Sequence, residues 1–233
     1  MLATTTSNLI NGALYPDLKY DFIRDIAPVA CISMQPLALA VIPSLPAQSV
    51  PDFIAYARAN PGKLNIGHTG TGTISHLSVE FFRQATGIDV AIVPYRGFAA
   101  MLPDLLGGRV HATIDNVAGS IEQIRSGSLR ALAVTSANRS DVLPNVPTMS
   151  EFIPGYEAFT VAGIAAPKHT PWDVIEILNR EIVAGLADPG VKSRLVSLGA
   201  TAVGGSPADF ANLIARESDR WSKVIRTAGI KPN

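Results

Sequence analysis

Short apolar runs and helical patterns alternate along this chain, separated by Gly and Pro. From Ser49 to Ala59 the pattern is helical. Ser49 offers an N-cap, Pro51 suits the first turn, and Phe53, Ile54 and Ala57 share one face. Asn60-Pro61-Gly62 ends that helix. Residues 63–68 (KLNIGH) read as a short strand and 69–73 (TGTGT) as a Gly/Thr loop. Ile74–Thr86 reads as a helix with Leu77, Phe81 and Ala85 on its core face, stopped by Gly87. A strand at 90–95 follows, then a helix over Phe98–Leu106 that Pro103 would shorten or kink. Next come a strand at 110–115, a helix over Gly119–Arg125, and an apolar strand of the buried type at 129–136.

This β-α-β-α-β order predicts an α/β fold with a mostly parallel sheet. Residues 139–155 carry Pro144, Pro147 and Pro154 and read as a surface loop with one helical turn near 148–152. A strand at 161–167 leads into three helices. The first has Pro171 at its first position and runs to about Leu186. The second follows Asp188-Pro189 and runs to Leu198. The third follows Ser206-Pro207 and runs to about Ala228. In the third, Phe210, Leu213, Ile214, Trp221 and Ile225 form the core face, with Glu217 on the exposed side. At the front, MLATTTS reads as the end of a strand running into a polar turn.

Composition narrows the class. Of 233 residues, 47% are hydrophobic and 16% charged, so the chain can bury a sizeable core. The formal net charge is zero, which leaves no basic footprint for nucleic acid or a membrane surface. Cys31 is the single cysteine, so neither an internal disulfide nor a cysteine metal site can form, and it reads as a small buried apolar residue. No Lys or Arg precedes Lys19, so no signal peptide is visible, and taken literally the chain is a cytoplasmic product.

Catalytic signatures are missing. His68, His76, His111 and His169 form no His-x-x-x-His pair, and there is no G-x-S-x-G elbow or Walker loop. Asp104 and Asp115 read as a cap and a strand-end residue rather than an acid/base pair. The informative segment is Gly67–His76, which includes Thr69, Gly70, Thr71, Gly72 and Thr73. It follows a strand and opens a helix. Small residues admit a ligand close to the backbone, and a first helical turn offers free N–H groups and partial positive charge to a carboxylate or phosphate. The same residues also suit an ordinary capped turn. Asp115-Asn116 lie at a strand end, where α/β sheets bind ligands, or serve as turn and cap residues. Thr4–Asn8 is a run of hydroxyl and amide groups that reads as a ligand contact or a solvated loop. Arg96 can pair with a carboxylate or face solvent.

Taken in order, several segments resemble one family. They are GALYPDLKYDFIRDIAPVACI (residues 12–32), SVPDFIAYARANPGKLNIGHTGTGTISHLSVEFFRQATGIDVAIVPYRG (49–97), LLGGRVHATIDNVAGSIEQIRSGSLRALAVTSANRSDVLPNVPTMSE (105–151) and the GIAAPKHTP stretch (163–171). The chain is identified by these as similar to the substrate-binding receptors of tripartite tricarboxylate transporters, the Bug proteins. The resemblance implies a two-lobed periplasmic-binding-protein fold of the flytrap type with crossover strands. Lobe 1 would comprise 1–33 and 159–233, and lobe 2 would comprise 34–158. It implies a periplasmic receptor, not an enzyme, that captures a small carboxylate in the cleft between the lobes for membrane transporter subunits or for a sensor, without cofactor or metal. Its contacts would be Thr5 and Thr6 in lobe 1, and Thr69, Gly70, Thr71, Gly72, Thr73, His76, Asp115 and Asn116 in lobe 2.

The chain departs from that family in two places. Val161 stands where the family typically has Trp, which implies an altered ligand or looser pocket. Family members also carry a signal peptide and two βα units ahead of the segment with which this chain opens, so lobe 1 is expected to be incomplete. Two other readings follow: a truncated remnant that self-associates through an open lobe 1 sheet edge without binding ligand, and a hydrolase using the same cleft.

Overall fold

A computed structural model describes residues 1–15 and 17–231. It divides into two compact units, one of Met1–Gln35 with Thr160–Asn233, the other of Pro36–Phe159.

In the first unit, β1 (Leu2–Thr5) runs into α1 (Thr6–Leu14) and is followed by the long strand β2 (Ile26–Val41), whose residues up to Gln35 belong here. The run from Thr6 is therefore a helix, not the expected polar turn. Thr5 caps it, donating its N–H and hydroxyl to Asn8 Oδ1 at 2.9 and 3.1 Å, and Leu9, Ile10 and Leu14 bury one face. The return segment contributes β7 (Phe159–Pro167), α6 (Trp172–Ala187), α7 (Pro189–Ser197), β8 (Thr201–Gly204) and α8 (Pro207–Ala228). β1 pairs antiparallel with β7, and β8 antiparallel with β2, so the expected mostly parallel order does not hold for these pairs. Val29, Ala30, Ala166 and Ile175 form a core that Leu178 and Ile182 of α6 complete. Cys31 is buried, and burial pushes its thiol up to about 11.

Two helices differ from expectation in detail. Pro171 is the N-cap of α6 rather than its first residue. On α8, Glu217 is 1% exposed and not on the solvent side. Its Oε1 lies 3.4 Å from Arg216 and 3.5 Å from Arg220, so the buried carboxylate is offset by two neighbouring cations.

The second unit contains the Gly/Thr loop. Its strands are the end of β2, β3 (Asn65–His68), β4 (Ala91–Pro94), β5 (Ala112–Asn116) and β6 (Arg130–Val134). β3 lies parallel between β4 and β5, and β2 runs antiparallel between β5 and β6. The sheet is thus mixed: the β-α-β segments are parallel as predicted, and β2 enters from outside that series. Its helices are α2 (Val50–Ala59), α3 (Ile74–Thr86), α4 (Phe98–Leu106) and α5 (Val117–Arg125). Pro103 sits inside α4, which runs on to Leu106. Asp104 is no cap. It accepts from Tyr95 Oη at 2.7 Å and pairs with Arg109 at 2.9 Å.

α3 differs most from the pattern read in the sequence. Ala85 is exposed and Phe81 half-buried, while Ser75, Ser78, Val79, Phe82 and Thr86 turn inward with Leu77. The polar members carry their own bonds: Ser75 Oγ donates to Ile114 O at 2.7 Å and Thr86 Oγ1 to Phe82 O at 2.7 Å. Tyr156 fixes the outer side of α3. Its ring stacks on Phe81, meets Phe82 edge-on, and its hydroxyl donates to Ser78 O at 2.7 Å.

Candidate functional site

β3 ends at His68, and the five residues Thr69–Thr73 turn the chain into α3. Gly70 and Gly72 adopt φ of +141° and +73°, conformations that a side chain would resist, so the two glycines let the loop fold back on itself. Thr73 is the N-cap of α3. Its hydroxyl donates to Gly70 O at 2.7 Å and accepts from the His76 N–H at 3.4 Å. Thr69 looks the other way, to β5. Its hydroxyl donates to Asp115 Oδ1 at 3.0 Å, while its N–H reaches Ser75 Oγ at 3.3 Å. Thr69, Ser75 and Asp115 therefore clamp the loop to the carboxyl end of β5, where Asn116 opens α5.

Two histidines lie against the loop. His68 and His76 stack with ring centroids 4.2 Å apart and planes 15° from parallel. His76 Nδ1 accepts the Gly72 N–H at 3.1 Å, and His68 Nδ1 lies 3.0 Å from Gly70 O and 3.3 Å from Gly70 N. Both rings are buried. Burial, and then the neighbouring His76, lowers His68 to about 4. Burial, and then Arg83, also lowers His76. Both are thus neutral near pH 7. Asp115 is buried too, and burial raises its carboxyl above the ordinary value against the bonds from Thr69, Asn116 and Ser75.

Much of the donor capacity expected of the loop is engaged within it. The N–H groups of Thr69, Gly70, Gly72 and Thr73 all have partners in the loop or its flanking residues His68, Ser75 and His76, the Thr73 hydroxyl bonds Gly70 O, and the Thr69 hydroxyl bonds Asp115. The N–H groups of Ile74 and Ser75 belong to the first turn of α3, where no intrahelical carbonyl can reach them. They, with the helix dipole, are the part of this segment suited to an anion. Close approach is built in below. A Cβ on Gly67 would collide with Met101 Sδ, so β3 and α4 pack at glycine distance under the loop.

Of the residues singled out in the sequence, the structure brings together Thr69, Gly70, Thr71, Gly72, Thr73, His76 and Asp115, with Asn116 next along β5. Thr5 and Thr6 belong to the other unit. There Thr5 is exposed at the start of α1, and Thr6 is buried with its hydroxyl accepting the Val161 N–H at 2.7 Å. Val161 is itself fully buried. Arg96 is exposed. His68 and Ser75, which lie in the Gly67–His76 segment but are not among the expected contacts, join this cluster. His68 directly precedes the loop, and nothing in the residue spacing announces its stack on His76.

Residues 1–230 match the family described as tripartite tricarboxylate transporter family receptor. Protein BugT of Bordetella pertussis is 37% identical over 235 residues, which cover 99% of this chain and 72% of that protein. Among solved structures, Rpa4515 of R. palustris with adipate is 40% identical with a TM-score of 0.85, covering 99% of this chain and 78% of the other. MatC of Rhodopseudomonas palustris with bound malate is 28% identical with a TM-score of 0.79, covering 96% and 78%.

Proposed function

The chain belongs to the tripartite tricarboxylate transporter receptor family, and from that premise we propose that it is a periplasmic receptor for a small carboxylate that hands its ligand to membrane transporter subunits. The feature that carries the ligand class is the start of α3, a helix N-terminus with its dipole beside a loop shaped by two positive-φ glycines. Two related proteins described with adipate and with malate support the same class. In this reading Thr71 and the α3 terminus receive a carboxylate. Thr69, Gly70, Gly72, Thr73, His76 and Asp115 hold the loop that presents them, and Asn116 borders it. Thr5 and Thr6 are ligand contacts offered by the first unit. No helix among the described residues is long and apolar enough to cross a membrane, so the membrane partners are separate chains in this reading.

Capture without turnover is the second half of the proposal. The hydroxyls of Ser75 and Thr69 in this segment donate elsewhere, Ser75 to Ile114 O and Thr69 to Asp115, and that of Thr73 donates to Gly70 O.

Calorimetry of the purified chain at about pH 7.5 with adipate, malate, a tricarboxylate and a neutral sugar tests both halves. Binding of at least one acid, none of the sugar, and unchanged ligand by NMR after overnight incubation is the expected result. Binding of the sugar alone would refute the carboxylate assignment, and consumption of any acid would refute the receptor assignment.

A further inference from the structure

We propose that His68 and His76 together form a latch that keeps the Thr69–Thr73 loop in the shape that receives ligand, and that the latch opens on acidification so that ligand is released. The ligand arm of this inference rests on the receptor reading above; the loop arm does not.

The geometry makes the latch. Each ring is tied to one of the loop's two positive-φ glycines, His68 to Gly70 and His76 to Gly72. The rings then stack on each other, so the two glycines are held through one rigid pair. The Gly70 carbonyl also receives the Thr73 hydroxyl and N–H, which set the cap of α3. A change at either imidazole therefore reaches the first turn of α3, where the ligand's carboxylate is expected.

The chemistry makes it switchable. His76 Nδ1 accepts from the Gly72 N–H, so the neutral ring carries its proton on Nε2. A second proton must go onto Nδ1. There it meets the Gly72 N–H head-on, and an acceptor is replaced by a second donor. A charge on either ring also repels a charge on its stacked partner. The titratable and charged groups around the pair are themselves engaged. On α3, Glu80 Oε1 lies 3.9 Å from His76 Nε2, but Glu80 is itself bound by Arg83 at 2.8 Å, so its attraction for an imidazolium is largely neutralised. On β5, Asp115 is turned to Thr69. After β4, Tyr95 donates its N–H to His68 O. Its phenol is bound to Asp104 and, chiefly through burial, ionises only at about 12. None of these provides a free anion to stabilise a charged pair, and burial opposes charging both rings.

The test compares the full chain with His68→Asn/His76→Asn. An Asn side chain places an amide oxygen or NH2 near the position of a histidine Nδ1, so this variant can accept from the Gly72 N–H, can meet either the N–H or the carbonyl of Gly70, and removes the titration. Amide spectra of Gly70 and Gly72, without ligand, are followed from pH 7.5 to 3.5, below the value of about 4 to which His68 is lowered. Adipate affinity is measured at both ends. In the parent, the two glycine amides shift with pH, and adipate affinity falls at least ~10-fold further than in the variant, the equivalent of one pKa unit of coupling. Because adipate titrates equally in both proteins, its own protonation cancels in the comparison. His76→Leu, which offers no acceptor, should show the acid-like Gly72 amide position already at pH 7.5. The latch is overturned if parent and Asn variant show the same pH response at both glycines, or if His76→Leu leaves Gly72 unmoved. Failure of the parent to bind adipate, malate or any other acid at pH 7.5 would sink the receptor reading, and the glycine amides would still decide the latch.

Discussion

Asp115 illustrates how burial and hydrogen bonding oppose each other at one residue. It is 4% exposed and accepts from Thr69, yet burial outweighs the bonds and raises its carboxyl above the usual value. The folded state therefore binds this proton more tightly than the unfolded chain. Its ionisation lowers stability as pH rises through the raised folded value, and the penalty disappears as pH falls below the unfolded value of about 4. Asn at this position can still accept the Thr69 hydroxyl through its amide oxygen and carries no charge. Asp115→Asn is expected to melt at the same temperature as the parent or higher at pH 7, with the difference closing by about pH 3. A clear drop in melting temperature at pH 7 would mean that the bonds to the ionised carboxylate outweigh its desolvation. Asp115 thus positions Thr69 and the loop at some cost to stability.

At the scale of elements, the termini explain most of what could be foreseen. α8 begins with a capping box in which Ser206 accepts the Asp209 N–H at 3.1 Å while Asp209 accepts the Ser206 N–H at 2.9 Å. Pro207 follows at the first position. Ser206→Ala is expected to cost ~1 kcal/mol, read as a lower denaturation midpoint with an unchanged slope. Such signals made α2 and α8 legible beforehand, and the glycine stop at Gly87 did the same for the end of α3. β2 and β8 were not read. β2 spans Ile26–Val41 without alternation and contains Pro28 and Pro36, which ordinarily argue against a strand. β8 is four residues long between an exposed helix and two glycines. α1 was hidden because its start is threonine-rich, and the cap that rescues it is a contact between Thr5 and Asn8 that no hydrophobic count registers. On α3 the apolar period misled because small polar residues take core positions when a carbonyl is at hand, as Ser75 does with Ile114 O. The Gly/Thr loop was legible for the same reason as the caps, its residue types being dictated by backbone conformation. The histidine stack was not, since it depends on how tightly the loop closes.

At the scale of the whole molecule, the two units differ in how the chain builds them. One is continuous, Pro36–Phe159, whereas the other joins Met1–Gln35 to Thr160–Asn233. In the continuous unit the pairings of β2 with β5 and β6 and of β3 with β4 and β5 are internal, and the large buried rings Phe53, Phe82 and Tyr156 all come from within it. Its last residues are fastened inside as well, Tyr156 Oη to Ser78 O and the Ala158 N–H to Thr135 O at 3.0 Å. Thr135 in turn accepts the Leu37 N–H at 2.8 Å, so the two ends of the segment meet at one threonine. Its size falls within the ordinary range for a domain with its own core. The discontinuous unit, by contrast, pairs β1 with β7 and β2 with β8 across the full length of the insertion, so its closure must wait for distant contacts. The segment Pro36–Phe159 expressed alone is therefore expected to fold, with a single cooperative thermal transition and slow hydrogen exchange at the amides of β3, β5 and β6. It should also keep the neutral histidine pair, visible as two imidazoles that resist protonation well below the usual pH. A fragment that lacks a cooperative melt would show that this unit takes essential stability from the other. A folded fragment with ordinary histidine titration would show that the stack, and the loop it holds, are not properties of this unit alone.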